Sequence, residues 1–171
     1  MALYPEWQDK LAAEAQVMEA CDFAVMSKLR LSRDVFRETL RLYPPPVPMM
    51  VREAACPEVM RERDVRKGSQ MVISPWHLHR HNRLWDNPDG FDPNRWHTEN
   101  GKTCQREAFI PFSAGARVCP GAGFAMIEGP LLLSRIMRDY RIKAGPDPVP
   151  VAHLTVRAKD GIRLTFTRRE R

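Results

Sequence analysis

The sequence predicts a mainly α-helical fold with small β-sheets, an α+β arrangement, and three observations carry that prediction. Apolar residues recur at helical spacing in three stretches, the short apolar segments between them are cut by turn residues, and the last stretch alternates with period two. The 15 prolines, against 9 glycines, add turns and leave few long uninterrupted elements.

In chain order, Trp7, Leu11, Ala15 and Met18 define a first helix, with Pro5 suited to its first turn. A chain that starts directly on a helix is expected to lack something upstream. A second helix is expected from Ser32, as N-cap, to Leu42, where "YPPPVP" ends it. "MMVREA" and "RDVRKGSQMVIS" read as short strands of one small sheet. From Pro75 to Cys104, with "NPDGFDPNRW" at its centre, the sequence reads as a long irregular connection of the kind that anchors something. A third helix from Gly121 to Arg138 carries apolar residues almost all round and is expected to be buried on most sides, with a kink or a hydrogen bond left to water at Pro130. Finally "HLTVRAKDGIRLTF" reads as a terminal β-hairpin about Lys159, Asp160 and Gly161.

Composition narrows the class. A length of 171 residues fits one ordinary domain, and 43% hydrophobic with 28% charged residues excludes disorder and collagen-like repetition. The net charge of +6 is dispersed, with only "TRRER" as a short cluster, which argues against nucleic acid and suits an acidic protein partner equally well. Cys21, Cys56, Cys104 and Cys119 form no CxxC pair, so neither a zinc ribbon nor a dithiol motif is indicated. With no secretory leader, reduced thiols and a cytoplasmic location are expected. The apolar run from Phe124 to Leu133 is broken by Glu128, Gly129 and Pro130 and makes no membrane segment.

Cys119 is the residue with the most chemical promise. It lies just ahead of a predicted helix, whose unpaired N–H groups and dipole favour a thiolate, with Gly115 and Gly121 to bring backbone close to a ligand and Arg117 as a nearby cation. On these residues alone the leading reading is a buried structural thiol in a tight turn, with a nucleophile or a metal ligand as the alternatives. Glu38 and Arg41, three apart on one helix face, read by themselves as a solvated ion pair. His77 and His81 in "WHLHRH" have no third ligand at suitable spacing, so zinc is not favoured, and the histidines of this stretch, His79 among them, read as surface or capping residues.

"FSAGARVCPG" sets Phe112, Gly115, Arg117, Cys119 and Gly121 in the spacing FxxGxRxCxG, which resembles the haem-binding loop of cytochromes P450. "RETLR" similarly resembles that family's ExxR motif, and Arg95 in "FDPNRW" the arginine completing a Glu-Arg-Arg cluster. The resemblance implies that Cys119 is the axial thiolate of haem b (iron protoporphyrin IX), a ligand that pushes electron density toward O–O cleavage. It implies that Arg52 and Arg117 hold the propionates, that Phe112 packs by the sulfur, and that Glu38, Arg41 and Arg95 form a buried structural brace. Val47, Met49, Leu154 and Thr155 would line a substrate pocket, with ordinary core packing as the alternative.

The implied activity is monooxygenation of a small apolar organic substrate with dioxygen and electrons from a ferredoxin or flavoprotein reductase, toward which Lys102, Arg106 and Arg95 offer positive charge. The resemblance spans Tyr4 to Phe166 but covers only the C-terminal part of such a fold, so residues 1–171 are expected to be one partial domain whose distal-helix half, with its (A/G)GxxT motif, is absent. Such a fragment is expected to expose apolar surface on its first and last helices. The alternatives are a non-catalytic haem-binding or interaction remnant, and a basic adaptor using the "TRRER" end.

Overall fold

The computed structural model describes residues 1–16, 23–45, 50–152 and 155–170. Helix α1 (Pro5–Ala15) starts on its proline and buries Trp7, Leu11 and Ala15, while Met18 lies outside the described residues. Helix α2 (Arg30–Leu42) begins two residues before Ser32. Ser32 is therefore not its N-cap. The Glu14 carboxylate of α1 takes that part, accepting from the Leu31 N–H (2.6 Å), the Ser32 N–H (2.9 Å) and the Ser32 hydroxyl (2.7 Å). An anion brought in from another helix satisfies the orphan donors and suits the positive end of the dipole.

The next strands are β1 (Met50–Glu53), β2 (Glu58–Met60), β3 (Arg63–Val65) and β4 (Gln70–Ile73). They make two antiparallel pairs, β1 with β4 and β2 with β3, instead of the single sheet expected. Pro57, which has no N–H to contribute to a ladder, stands at the break. The stretch expected to be irregular holds α3 (Pro75–Leu78), a 3-10 turn at Pro93–His97 and α4 (Glu99–Glu107). Its caps are local: the Asp92 side chain accepts from the Asn94 N–H (2.9 Å), and the Thr98 hydroxyl from the Gly101 N–H (3.0 Å).

The last helix, α5 (Ala122–Asp139), runs continuously through Pro130. The expectation that it is buried on most sides fails. Of its residues only Pro130, Ser134 and Met137 are buried, while Phe124 is 68% and Leu132 54% exposed. Periodicity reports which residues are apolar, and here only one stripe of them finds neighbours, on α1 and α2. On the α2 side the Phe36 ring lies so close that a β-carbon on Gly129 would stand 2.3 Å from it. The first helix differs, with its apolar stripe covered.

The terminal hairpin is also corrected. The turn at Lys159–Gly161 exists, with Gly161 at φ +77°, but the strands on either side of it part company. Strand β7 (Val156–Ala158) pairs back with β6 (Pro150–Ala152), and β8 (Leu164–Arg168) pairs with β5 (Tyr140–Ala144) in a five-residue register. Alternation marks a strand face without naming the strand's partner.

Two apolar clusters result. Leu11, Val35, Met137 and Ile142 join α1, α2, α5 and β5, and the Gln8 side-chain amide clamps both backbone groups of Ile142 (2.7 and 2.8 Å). Trp85, Trp96, Cys104 and Ala108 form the second, on the meandering segment. Helix α2 serves both, with Val35 in the first and the Arg41 guanidinium 5.4 Å from the Trp85 ring centre of the second.

Candidate functional site

The sequence-predicted residues fall into a buried brace and an open loop. In the brace, Glu38, Arg41 and Arg95 are all buried and in contact. Glu38 Oε1 accepts from Arg41 Nη2 (2.8 Å), Arg95 Nε (3.0 Å) and the Asp92 N–H (3.0 Å), and Oε2 accepts from Arg41 Nε (3.0 Å). Arg41 also donates to the carbonyls of His79 (2.9 Å), Pro88 and Gly90 (2.8 Å), which occupies all five of its N–H groups. Arg95 holds the carbonyls of Asp86, Asn87 (2.9 Å) and Gly90 (3.0 Å). Residues 86–90 have no regular ladder, so two guanidinium forks supply the donors their carbonyls need. One carboxylate faces two cations, and the carbonyl dipoles absorb the excess positive charge.

Helix α4 fixes the brace from outside. A β-carbon on Gly101 would lie 1.8 Å from the Arg95 carbonyl oxygen. Because that neighbour is backbone, Gly101→Ala is expected to cost about 3 kcal/mol, the upper end for overpacking, read as a lowered midpoint of urea unfolding. An unchanged midpoint would mean that α4 is not seated on Arg95.

Arg95 is 4% exposed, so it is not a surface cation for a docking carrier, whereas Lys102 and Arg106 lie exposed on α4. His79 is corrected too, being fully buried between the Phe109 and Trp85 rings, not on the surface. Its spacing carried no signal, because the two rings and Arg41 of α2 that surround it come from other parts of the chain. His77, on α3, and His81 are exposed and make local bonds, His77 with the Ser74 hydroxyl (2.9 Å) and His81 accepting from the Arg83 N–H (3.2 Å).

The open loop runs from Pro111 to Gly121. The Cys119 N–H donates to the Phe112 carbonyl (2.8 Å) and closes it, and a 3-10 turn at Gly115–Arg117, with Ser113 and Gly115 both at φ +67°, forms its tip. The Cys119 carbonyl accepts from the Ala122 N–H (3.2 Å), handing the chain to α5. A β-carbon on Gly121 would stand 3.7 Å from Cys119 Sγ. Cys119 is exposed, against the reading of a buried structural cysteine; Phe112 is half-buried, and Val118 and Phe124 are exposed.

Arg117 is exposed and Arg52 half-buried on β1, its guanidinium donating to the Val51 carbonyl (3.0 Å). Neither has an ion-pair partner among the described residues. Thr155 is half-buried ahead of β7, and Val47, Met49 and Leu154 lie outside the described residues. No group of three His, Cys, Asp or Glu among the described residues could hold a metal ion, and no helix there is long and apolar enough to cross a membrane.

A family model described as "Cytochrome P450" matches residues 1–166. "Probable cytochrome P450 4p3" of Drosophila melanogaster is 34% identical over 179 aligned positions, covering 99% of this chain and 35% of that protein. A six-coordinated cytochrome P450 from Thermus thermophilus superposes with a TM-score of 0.76 at 29% identity, over 99% of this chain and 41% of that one. Retinoic-acid-bound cyanobacterial CYP120A1 gives a TM-score of 0.89 at 22% identity, over 98% of this chain and 40% of that one, a likeness of fold alone. The chain thus spans about a third of the length of the curated relatives it matches. With the fold, the length-wide model match and the cysteine loop in agreement, the chain belongs to the cytochrome P450 family.

Proposed function

We propose that this chain is the proximal part of a haem-thiolate monooxygenase, in which the Cys119 thiolate would ligate the iron of haem b and Arg52 and Arg117 would neutralise its propionates. The observation that carries the reading is the exposed Cys119 thiol at the closed end of a glycine-bearing loop, directly ahead of α5. The residues fit the group in three respects. Cys119 offers a single thiolate, which suits a group that brings its other ligands with it. Exposed Val118 and Phe124 suit its apolar face. Arg52 and Arg117, which have no carboxylate partner among the described residues, suit its two anionic edges.

When bound, the haem would supply dioxygen activation for oxidation of a small apolar organic substrate, with electrons from a ferredoxin or flavoprotein. What this chain's residues do is hold and orient. The Phe112–Cys119 bond sets the direction of the sulfur, and the Glu38, Arg41 and Arg95 brace keeps the 86–90 segment against α2. The distal, oxygen-facing residues of such an enzyme would lie in sequence this chain does not contain, and the alternative reading is a non-catalytic haem-binding remnant.

The deciding experiment is the carbon monoxide difference spectrum of the reduced chain supplied with haem. A red-shifted, thiolate-type Soret band is expected, with complete loss in Cys119→Ala. A missing band in the parent chain, or one that survives in the variant, overturns the assignment.

A further inference from the structure

His79 is a buried histidine outside the loop, and its bonds prescribe its protonation. Its Nε2 lies 2.9 Å from the Ile110 N–H, a group that can only donate. Nε2 is therefore an acceptor, the ring is neutral, and the proton sits on Nδ1, which faces the Arg41 carbonyl at 3.3 Å. The Arg41 guanidinium returns a bond to the His79 carbonyl at 2.9 Å, so the two residues are tied in both directions. Ile110 starts the turn into the cysteine loop, its carbonyl accepting from the Ser113 N–H (3.2 Å), and Phe112 within that turn is the residue that closes on Cys119.

We infer that His79 is a proton-labile latch that fastens the entry of the cysteine loop to α2, and so acts as a positioning residue for Cys119; its effect on the thiolate rests on the haem-thiolate reading above. Protonation would place a donor on Nε2 against the Ile110 donor and break the latch. The charged groups nearest the ring are cations, Arg41 on α2 and Arg80 on its own segment, and the carboxylates of Glu38 and Asp89 are engaged by those arginines. Burial, seconded by those two charges against an opposing bond to the Arg41 backbone, brings the His79 pKa down to about 4.

Two variants separate acceptor from proton. In His79→Gln an amide oxygen can take the place of Nε2 and cannot titrate, and in His79→Phe both bonds are lost. In the haem-free chain, nitrogen NMR of the parent is expected to show the Nδ1–H tautomer, neutral down to about pH 4. Ile110 amide exchange is expected to quicken about tenfold in His79→Phe and to stay slow in His79→Gln. An Nε2–H tautomer, ordinary titration near 6.5, or an unprotected Ile110 amide in the parent overturns the latch, and none of these depends on the variants folding. In the haem-supplied chain the thiolate-type band is expected to weaken in His79→Phe at all pH, and an acid transition expected in the parent near pH 4 is expected to be missing in His79→Gln. A latch intact by NMR with no thiolate band in the parent refutes the Cys119 assignment alone. A band whose intensity and pH profile ignore both variants refutes the positioning role alone.

Discussion

Glu38→Ala is expected to destabilise the chain by about 3–5 kcal/mol, because it removes the anion from a buried cluster and leaves two guanidinium groups without it. Glu38 is fully buried, and its two oxygens accept from both arginines and from the Asp92 backbone. Water cannot replace those bonds without opening the segment. A loss of that size is a large share of the 5–15 kcal/mol, roughly, that holds an ordinary domain. Glu38→Gln keeps one oxygen for three of the four donors and places an amide donor against Arg41 Nε, so an intermediate loss is expected. Urea unfolding midpoints measure both variants. A Glu38→Ala chain within about 1 kcal/mol of the parent, the range of an exposed pair, would mean that the cluster is not closed to water.

Acidification is expected to weaken the fold through His79 by about 3 kcal/mol in all. In the folded chain His79 takes a proton only near pH 4, whereas in the unfolded chain it does so near 6.5. Above 6.5 both states are neutral and His79 adds no pH dependence. Between 6.5 and about 4 only the unfolded chain is protonated, so stability falls with falling pH by about 1.4 kcal/mol per unit. Below about 4 the contribution is constant. The Asp9 carboxyl, held below its ordinary range chiefly by a hydrogen bond from Arg169, and the Glu99 carboxyl, held down by Lys102, lose stability in the same direction but at lower pH. They are present equally in His79→Gln. Comparing the fall in unfolding free energy from neutral pH to about pH 4.5 in parent and His79→Gln isolates the histidine, and an equal fall in both would refute the linkage.

The signals that were legible are local ones. Pro5 and the spacing of Trp7, Leu11 and Ala15 mark α1, and the proline run after Leu42 marks the end of α2, because steric limits on proline and helical periodicity act within one turn of chain. Helix α4 was legible in the same sense, since Thr98 and Glu99 are an N-cap and a first-turn acid, but the proline and glycine density before them masked it. FxxGxRxCxG is likewise a short motif, and its loop is closed by a bond between its own ends.

What distant contacts decide could not be read. The Glu14 cap on α2, the separation of β7 from β8, the half-covered state of α5 and the burial of His79 each depend on a partner far along the chain. The Glu38 to Arg41 spacing illustrates the division. By itself the sequence determined that a carboxylate and a guanidinium share one helical face, because about 3.6 residues per turn brings i and i+3 together. Only the tertiary structure decided what keeps the pair dry, as the motif's resemblance implied it would be: Arg95 and the carbonyls of residues 86–90 close over it, and a buried ion pair lasts only where every remaining donor finds an acceptor.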